Sequence, residues 1–421
     1  MTEPLQHLLT ESKRRDRSDI LFEKRQAFDL PADLVYLDGN SLGPLTLAAK
    51  QRIEQVVSKE WGHDLIRSWN TANWIDLPVS VAEKIAPLIG AAPHQVICCD
   101  SISVNLFKLL AGALRQCLAL TPVRRRIVTT VDNFPTDGYI AQGLADLLSE
   151  HDVKVDCVAE TDIEQALSDD VAVLLLTEVN FRTGYRFDIQ KITALAHQHN
   201  ILVIWDLAHS AGVMPLSLDE WHVDFAVGCG YKYLNGGPGA PAFMYVAARH
   251  QAQFRQPLQG WMGHAKPFDF DATYQPQSGI KQSLAGTPGI LSMAALDASL
   301  SVFDSVSVNQ LYEKAMGLTE WFVELLEAHQ LHTQFTNISP RQRAQRGAHV
   351  ALAHEHAYAI CQAWIADNVI ADFRAPNILR VGFSPLFLRY EDVYIAVKKL
   401  HRIVTQQQYL NAEFNVKQGV T

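Results

Sequence analysis

The sequence predicts an α/β fold: a large domain built on a mostly parallel sheet flanked by helices, plus a smaller α+β domain. Three observations carry that expectation. From about Val96 to Tyr245 short β-branched runs alternate with segments of helical periodicity, the pattern of strands joined by crossover helices. Runs such as VAVLLL and ILVIW are apolar throughout, because a strand covered by helices on both faces meets water on neither. A chain of 421 residues suffices for one large domain and a smaller one.

In chain order, residues 1–45 are read as an N-terminal segment joining the small domain, 46–305 as the large domain and 306–421 as the small one. Strands are expected at 126–131, 153–158, 171–176, 201–205, 225–228 and 242–245. Helical patterns fill 104–120, 136–149, 163–167 and 189–199 between them. Residues 258–289 are irregular and rich in Gly, Pro and aromatics, and a stretch of that length without its own periodicity is usually functional. Helix resumes over 290–329, followed by a helix near 358–368 and a strand at 378–383. The polar stretch 337–346 reads as a mobile surface loop.

Composition narrows the function. Apolar residues make up 48% and charged residues 19%, the balance of a globular chain. The net charge of −9 disfavours a polyanion-binding surface, so no nucleic-acid partner is expected. The start of the chain lacks an apolar signal core, and no run approaches the ~20 apolar residues of a membrane span. The expected location is the cytoplasm, with no membrane partner. Cys98, Cys99, Cys117, Cys157, Cys229 and Cys361 show no CxxC spacing and are read as reduced thiols, mostly in the core.

The chemistry concentrates in ILVIWDLAHSAG and DFAVGCGYKYLNGGPGAPAF. Asp206 closes a buried strand, and Lys232 follows 26 residues later at the end of the next. Ligands of open α/β sheets sit at those strand ends. A lysine that can attach a carbonyl covalently, with a carboxylate that keeps a ring nitrogen protonated, suits a pyridoxal cofactor acting as an electron sink. Taken singly, Asp206 could be a cap and Lys232 a solvated lysine. Its setting between Tyr231 and Tyr233, ahead of a Gly-rich turn, would gain an ordinary surface lysine little.

DLAHSAG together with YKYLNGGPGAP resembles the kynureninase branch of the class V aminotransferase family. YLDGNSLGPL, SVNLFKLL, the tetrapeptide FPTD, TEVNFRTG and LRVGFSPLF agree, and the likeness runs from about Tyr36 to Leu388. The resemblance implies fold type I, like aspartate aminotransferase, with pyridoxal 5'-phosphate as cofactor. It also implies hydrolysis of the Cβ–Cγ bond of L-kynurenine to anthranilate and L-alanine in tryptophan catabolism, with 3-hydroxykynurenine used less well. Lys232 would carry the cofactor and move protons, Asp206 would face its ring nitrogen, and Tyr231 would contact phosphate and serve as an acid–base group.

In the same carry-over Phe134 stacks on the ring, Asp137 supports its polar edge, and Pro135 and Thr136 are cofactor-binding with them. Ile102 and Ser103 open a helix whose free N–H groups and dipole favour a phosphate. Thr177 and His209 would lie near the ring, and Trp261 and Thr287 would reach the neighbouring subunit's cofactor, so a homodimer is expected. Arg380 would clamp the substrate α-carboxylate in bidentate fashion, with Ser41, Trp69 and Gly286 also facing substrate. Animal-type relatives carry a Ser–Asn pair at Gly286–Thr287 and a histidine near Trp69. From the residues alone, Trp69 equally fits an aromatic cluster with Trp61 and Trp74, and His209 equally fits a buried structural histidine.

The remaining signals are weaker. His354, Glu355 and His356 lack HExxH spacing and read as solvated surface, so no metal is expected. Neither GxGxxG after a strand nor GxxxxGK[ST] occurs. A cysteine desulfurase would need an accessible cysteine in the last third, where Cys361 lies in a packed helical pattern. A transaminase of the same family shares the Asp and Lys and stays open at this point. A non-catalytic cofactor-binding regulator would carry a basic helix-turn-helix, which the first hundred residues do not contain.

Overall fold

A computed structural model describes residues 3–121 and 123–417. Its main sheet has seven strands: β1 Val96–Cys98, β2 Arg126–Thr130, β3 Lys154–Val158, β4 Val171–Thr177, β5 Leu202–Asp206, β6 Phe225–Cys229 and β7 Ala242–Val246. The order across the sheet is β1-β7-β6-β5-β4-β2-β3. β2 to β6 pair in parallel, and β7 runs against both of its neighbours. Every residue of β4 is buried, which is why VAVLLLT carries no polar alternation.

Helices cover both faces. Ile102–Leu120 presents Leu106, Leu109, Leu110, Ala113 and Leu114 at helical spacing to one face of the sheet, and all five are buried. This helix is long and apolar enough to cross a membrane by length and composition, but half of the qualifying window is buried inside the protein. The opposite face meets Leu77–Ile85, Ile189–Gln198 and Ile290–Ser299. That core continues without a break into the carboxy-terminal part, through Phe322, Trp364, Leu379 and Val397.

There a four-stranded antiparallel sheet, β8 Thr336–Asn337, β9 His349–Ala353, β10 Asp372–Arg374 and β11 Ile378–Gly382, runs in the order β10-β11-β9-β8. The N-terminal helix Glu3–Ser18 docks on Tyr390–Thr405, where Asp16 accepts the Tyr390 and Glu391 N–H groups at 2.7 and 3.0 Å. A carboxylate from a distant helix thus caps those otherwise open donors.

Two expectations are corrected. The stretch 337–346 is fastened, because its polar groups have distant partners: Ser339 Oγ donates to Thr183 O at 2.6 Å, and Arg343 ion-pairs with Glu313 and Glu320 of the helix Val308–Ala328. His354 is half-buried rather than solvated, its ring packed 5.0 Å from Phe335 and 6.0 Å from Tyr409. All six cysteines are unpaired; five are buried, and Cys157 on the edge strand β3 is exposed.

Candidate active site

The parallel strands deliver their carboxyl ends to one rim. Thr177 closes β4 and Asp206 closes β5, and the two are register partners. Phe134 follows β2, and Tyr231 and Lys232 follow β6. They surround a cavity of about 230 Å³ lined also by Ser101, Ile102, Ser103, Thr136, Phe181, Ala208, His209, Cys229, Ala240 and Ala242. A second cavity, of about 520 Å³, is larger but lies among Leu30, Leu34, Leu42, Leu45 and Leu291, with Tyr36 as its one titratable lining group. The chemistry belongs to the smaller one.

Lys232 Nζ lies 3.1 Å from His209 Nε2 and about 6 Å from the centres of the Phe134 and Tyr231 rings. Burial, then the Lys232 charge, pulls the His209 ring well below the usual histidine range, so the ring stays neutral beside the lysine. The YKY run is held from below by the YLDGNSLGPL segment: Gly43 N donates to Tyr231 O at 2.8 Å. A Cβ at Gly43 would stand 2.4 Å from Lys232 O, so only glycine permits that approach.

Two buried carboxyls belong to this region, Asp206 in the cavity lining and Asp137 behind Thr177. Asp206 Oδ1 accepts Ala208 N at 2.7 Å, and Asp137 Oδ2 lies 3.2 Å from the Thr177 hydroxyl. Burial raises both, and the neighbouring Asp206 charge pushes Asp137 further; for Asp206, Lys232 pulls the other way. Asp137 Oδ1 is buried with no partner in the protein. An orphan acceptor beside a second carboxyl is an unfavourable arrangement that a cationic N–H donor would relieve.

The other walls suit an aromatic phosphate ester. Phe134 is 39% exposed and lines the cavity, so part of it is free to meet a ligand. Ser101 caps the helix Ile102–Leu120 by accepting Val104 N at 3.4 Å, and that helix end faces the cavity beside Ser103. Tyr231 has its hydroxyl pushed up by burial, then by Cys229, so it retains its proton and can donate.

Arg380 reaches the rim from β11 and is 1% exposed. Its Nη1 donates to Phe181 O at 2.7 Å and its Nη2 to Ser41 Oγ at 2.7 Å and to Asp372, while Nε has no partner. Asp372 is shared with Arg374. Arg380 therefore sits in a buried ion pair, held ready by groups from three segments.

Of the residues singled out from sequence, Ile102, Ser103, Phe134, Thr136, Thr177, Asp206, His209, Tyr231 and Lys232 line the cavity. Asp137 does not line it but is buried against Thr177, which does, and Pro135 is the first residue of the helix Pro135–Leu147. Trp69, Trp261, Gly286 and Thr287 do not line it in the single chain; Gly286 and Thr287 are exposed. Trp69 packs 6.1 Å from Trp74 and 6.4 Å from Trp261, whereas Trp61 is exposed, which corrects the expected cluster. Sequence reasoning missed Phe181 and Cys229 as lining residues; Phe181 stood inside the quoted TEVNFRTG run.

Residues 311–400 match the family model of the kynureninase C-terminal domain. A kynureninase of Burkholderia mallei is 46% identical over 407 residues, covering 96% of this chain and 98% of that protein. One of Pseudomonas fluorescens is 44% identical over 406 residues, with the same coverage. Among solved structures, a cysteine desulfurase of Escherichia coli superposes with a TM-score of 0.76 at 18% identity, over 92% of this chain and 98% of that one. A C-DES mutant with glycine covalently linked to its PLP cofactor gives 0.77 at 16% identity, over 89% and 98%. At such identities these two share the fold, which is fold type I.

Proposed function

This chain belongs to the kynureninase family, and from that we infer that it is a pyridoxal-phosphate-dependent hydrolase that cleaves L-kynurenine to anthranilate and L-alanine. The observation carrying this reading is 46% identity to a kynureninase over nearly the whole of both chains. The site fits the cofactor: the Asp206 carboxyl that lines the cavity suits a protonated ring nitrogen, and the orphan oxygen of Asp137 beside it suits the ring's polar edge. The partly exposed Phe134 in the cavity wall suits stacking, and the helix end at Ser101–Ser103 suits the phosphate. When bound, pyridoxal phosphate supplies an electron sink for the carbanions that form as bonds to Cα and Cγ break.

The chain's own residues do the rest. Lys232 holds the cofactor covalently and, once freed by substrate, takes and returns the Cα proton from its position beside neutral His209. Asp206 fixes the ring-nitrogen proton, and Thr177 and His209 bound the ring. Tyr231, which keeps its proton, donates near the phosphate and serves as acid in the later protonation. Arg380 binds the α-carboxylate with Ser41 beside it. Trp69 and Gly286, which do not line the cavity of the single chain, face the aromatic ring in the assembled dimer. Trp261 and Thr287, outside the cavity of their own chain, complete the partner's site in a homodimer.

The same reading divides the chain into 1–45, 46–305 and 306–421 and places it in the cytoplasm. A desulfurase chemistry is disfavoured because Cys361 is fully buried inside the helix Ala357–Ala366. Incubating cofactor-loaded protein with L-kynurenine while following anthranilate fluorescence tests the function. Release of anthranilate is expected; a flat trace would favour a transaminase.

A further inference from the structure

The turn after β4 carries a residue that no role above uses. Asn180 is buried, and its Oδ1 accepts Arg182 N and Thr183 N at 2.9 and 3.0 Å, closing the turn. Its Nδ2 points the other way. It donates to Asp132 Oδ2 at 3.0 Å, to the Asp132 carbonyl at 3.3 Å and to Glu160 Oε1 at 3.0 Å. Asp132 and Glu160 follow the ends of β2 and β3, and the shared Asn180 amide brings their carboxyls together.

Both ends of that amide lead to the active site. Two residues after Asp132 stands Phe134, and directly after Asn180 stands Phe181. Their rings meet edge to face at 5.3 Å, and the Phe181 carbonyl accepts Arg380 Nη1 at 2.7 Å. We propose that Asn180 is a positioning residue of the reaction: it clamps the Asp132–Glu160 acid pair to the Phe181 turn and thereby holds the Phe134 ring and the Arg380 guanidinium in place. The proposal rests on the roles given above to Phe134 and Arg380.

The clamp needs a proton, because two carboxylates in contact repel unless one is neutral. Burial, then the Asp132 charge, raises the Glu160 carboxyl to about 7. The groups facing Glu160 are Asp132, the Asn180 amide and Tyr185, beyond which lies the Lys191–Glu164 ion pair. Arg182 of the same turn lies over the Phe181 ring. Among the described residues neither Asp132 nor Glu160 forms an ion pair. A carboxyl whose folded value is raised keeps its proton below that value, so the clamp is closed at lower pH and loosens as pH rises through about 7.

The test uses holoenzyme of wild type, Asn180→Asp and Glu160→Gln, with visible circular dichroism of the bound cofactor and steady-state kinetics on L-kynurenine from about pH 6 to about pH 9. Asn180→Asp replaces the donor with a third carboxylate at nearly constant shape. It is expected to lower the cofactor dichroism and to raise KM roughly tenfold, as one lost charge-assisted bond would. Glu160→Gln keeps the contact uncharged, so its KM should stay level where that of wild type rises above about pH 7. Folded Asn180→Asp with wild-type dichroism and KM overturns the proposal, and so does an unchanged pH profile in Glu160→Gln, which decides alone if Asn180→Asp does not fold. Absence of anthranilate from wild type would refute the functional reading instead, and the dichroism comparison would still judge the clamp.

Discussion

Replacing Gly382 with alanine would put a methyl group where no atom fits. Gly382 is the last residue of β11, two positions after Arg380, and a Cβ added there would lie 1.9 Å from Asn40 Oδ1 and 2.4 Å from Asn40 Cγ. Reaching an ordinary 3.4 Å contact requires the oxygen to move by 3.4 − 1.9 = 1.5 Å. Asn40 is fully buried, and a Cβ on the adjacent Gly39 would likewise stand 3.0 Å from Phe387, so the displacement is passed along the loop to Ser41. Overpacking of this kind costs about 1–3 kcal/mol of stability. Losing the 2.7 Å bond from Arg380 Nη2 to Ser41 frees one donor of a charged group, worth about 1.5–3 kcal/mol. If Arg380 holds the substrate carboxylate, KM for kynurenine should rise roughly ten- to hundredfold while cofactor absorbance at saturation is unchanged. Ser41→Ala should produce much of the same KM change without the steric term, and the double variant should be less than additive. A Gly382→Ala enzyme that is fully loaded and keeps KM within about twofold would refute this chain of contacts.

Other outcomes follow from the same geometry. Borohydride reduction of the yellow holoenzyme followed by peptide mapping should place the pyridoxyl label on Lys232; label on another lysine would move the site. Mixing Lys232→Ala with Thr287→Ala chains should restore partial activity, whereas none would mean that each site is built from a single chain. Kynurenine should exceed its 3-hydroxy analogue in kcat/KM by roughly tenfold, because a hydroxyl buried without a partner costs about 1–3 kcal/mol; equal values would sink the ring-selecting role of Gly286–Thr287. The raised Asp137 and Asp206 carboxyls bind protons more tightly folded than unfolded, so cofactor-free protein should lose stability as pH rises from about 4 upward. Asp137→Asn should flatten that fall in thermal midpoint; an unaltered slope would show that the pair is not the cause.

The sequence made the large sheet legible because β4 to β7 are largely apolar runs and β2 and β3 are β-branched or Val-containing runs between helical patterns, and Asp206, Lys232 and Phe134 because each ends or follows such a run. β1 was not found as a strand: Val96–Cys98 has three residues, too few for a period, and its partner β7 lies far away in sequence. Trp61 is near Trp69 in sequence, yet Trp261 is its neighbour in space, so linear proximity misled. The stretch 337–346 looked loose because its partners, Glu313, Glu320 and Thr183, belong to other elements. Phe181 and Asn180 had no signature of their own; their meaning lies in contacts with residues of three strand ends.

The reversed strand has a consequence for biosynthesis. β7 is the last strand of the sheet to emerge from the ribosome, yet it is inserted between β1, the first, and β6. Until residues 242–246 have been made, β1 has no partner and β6 presents an open edge of Phe225–Cys229, apolar and able to pair with another nascent chain. Chains interrupted before Ala242 should therefore expose that edge, which places one vulnerable interval of synthesis in the stretch just after Lys232 is made; the face later covered by Ile290–Ser299 stays open beyond it.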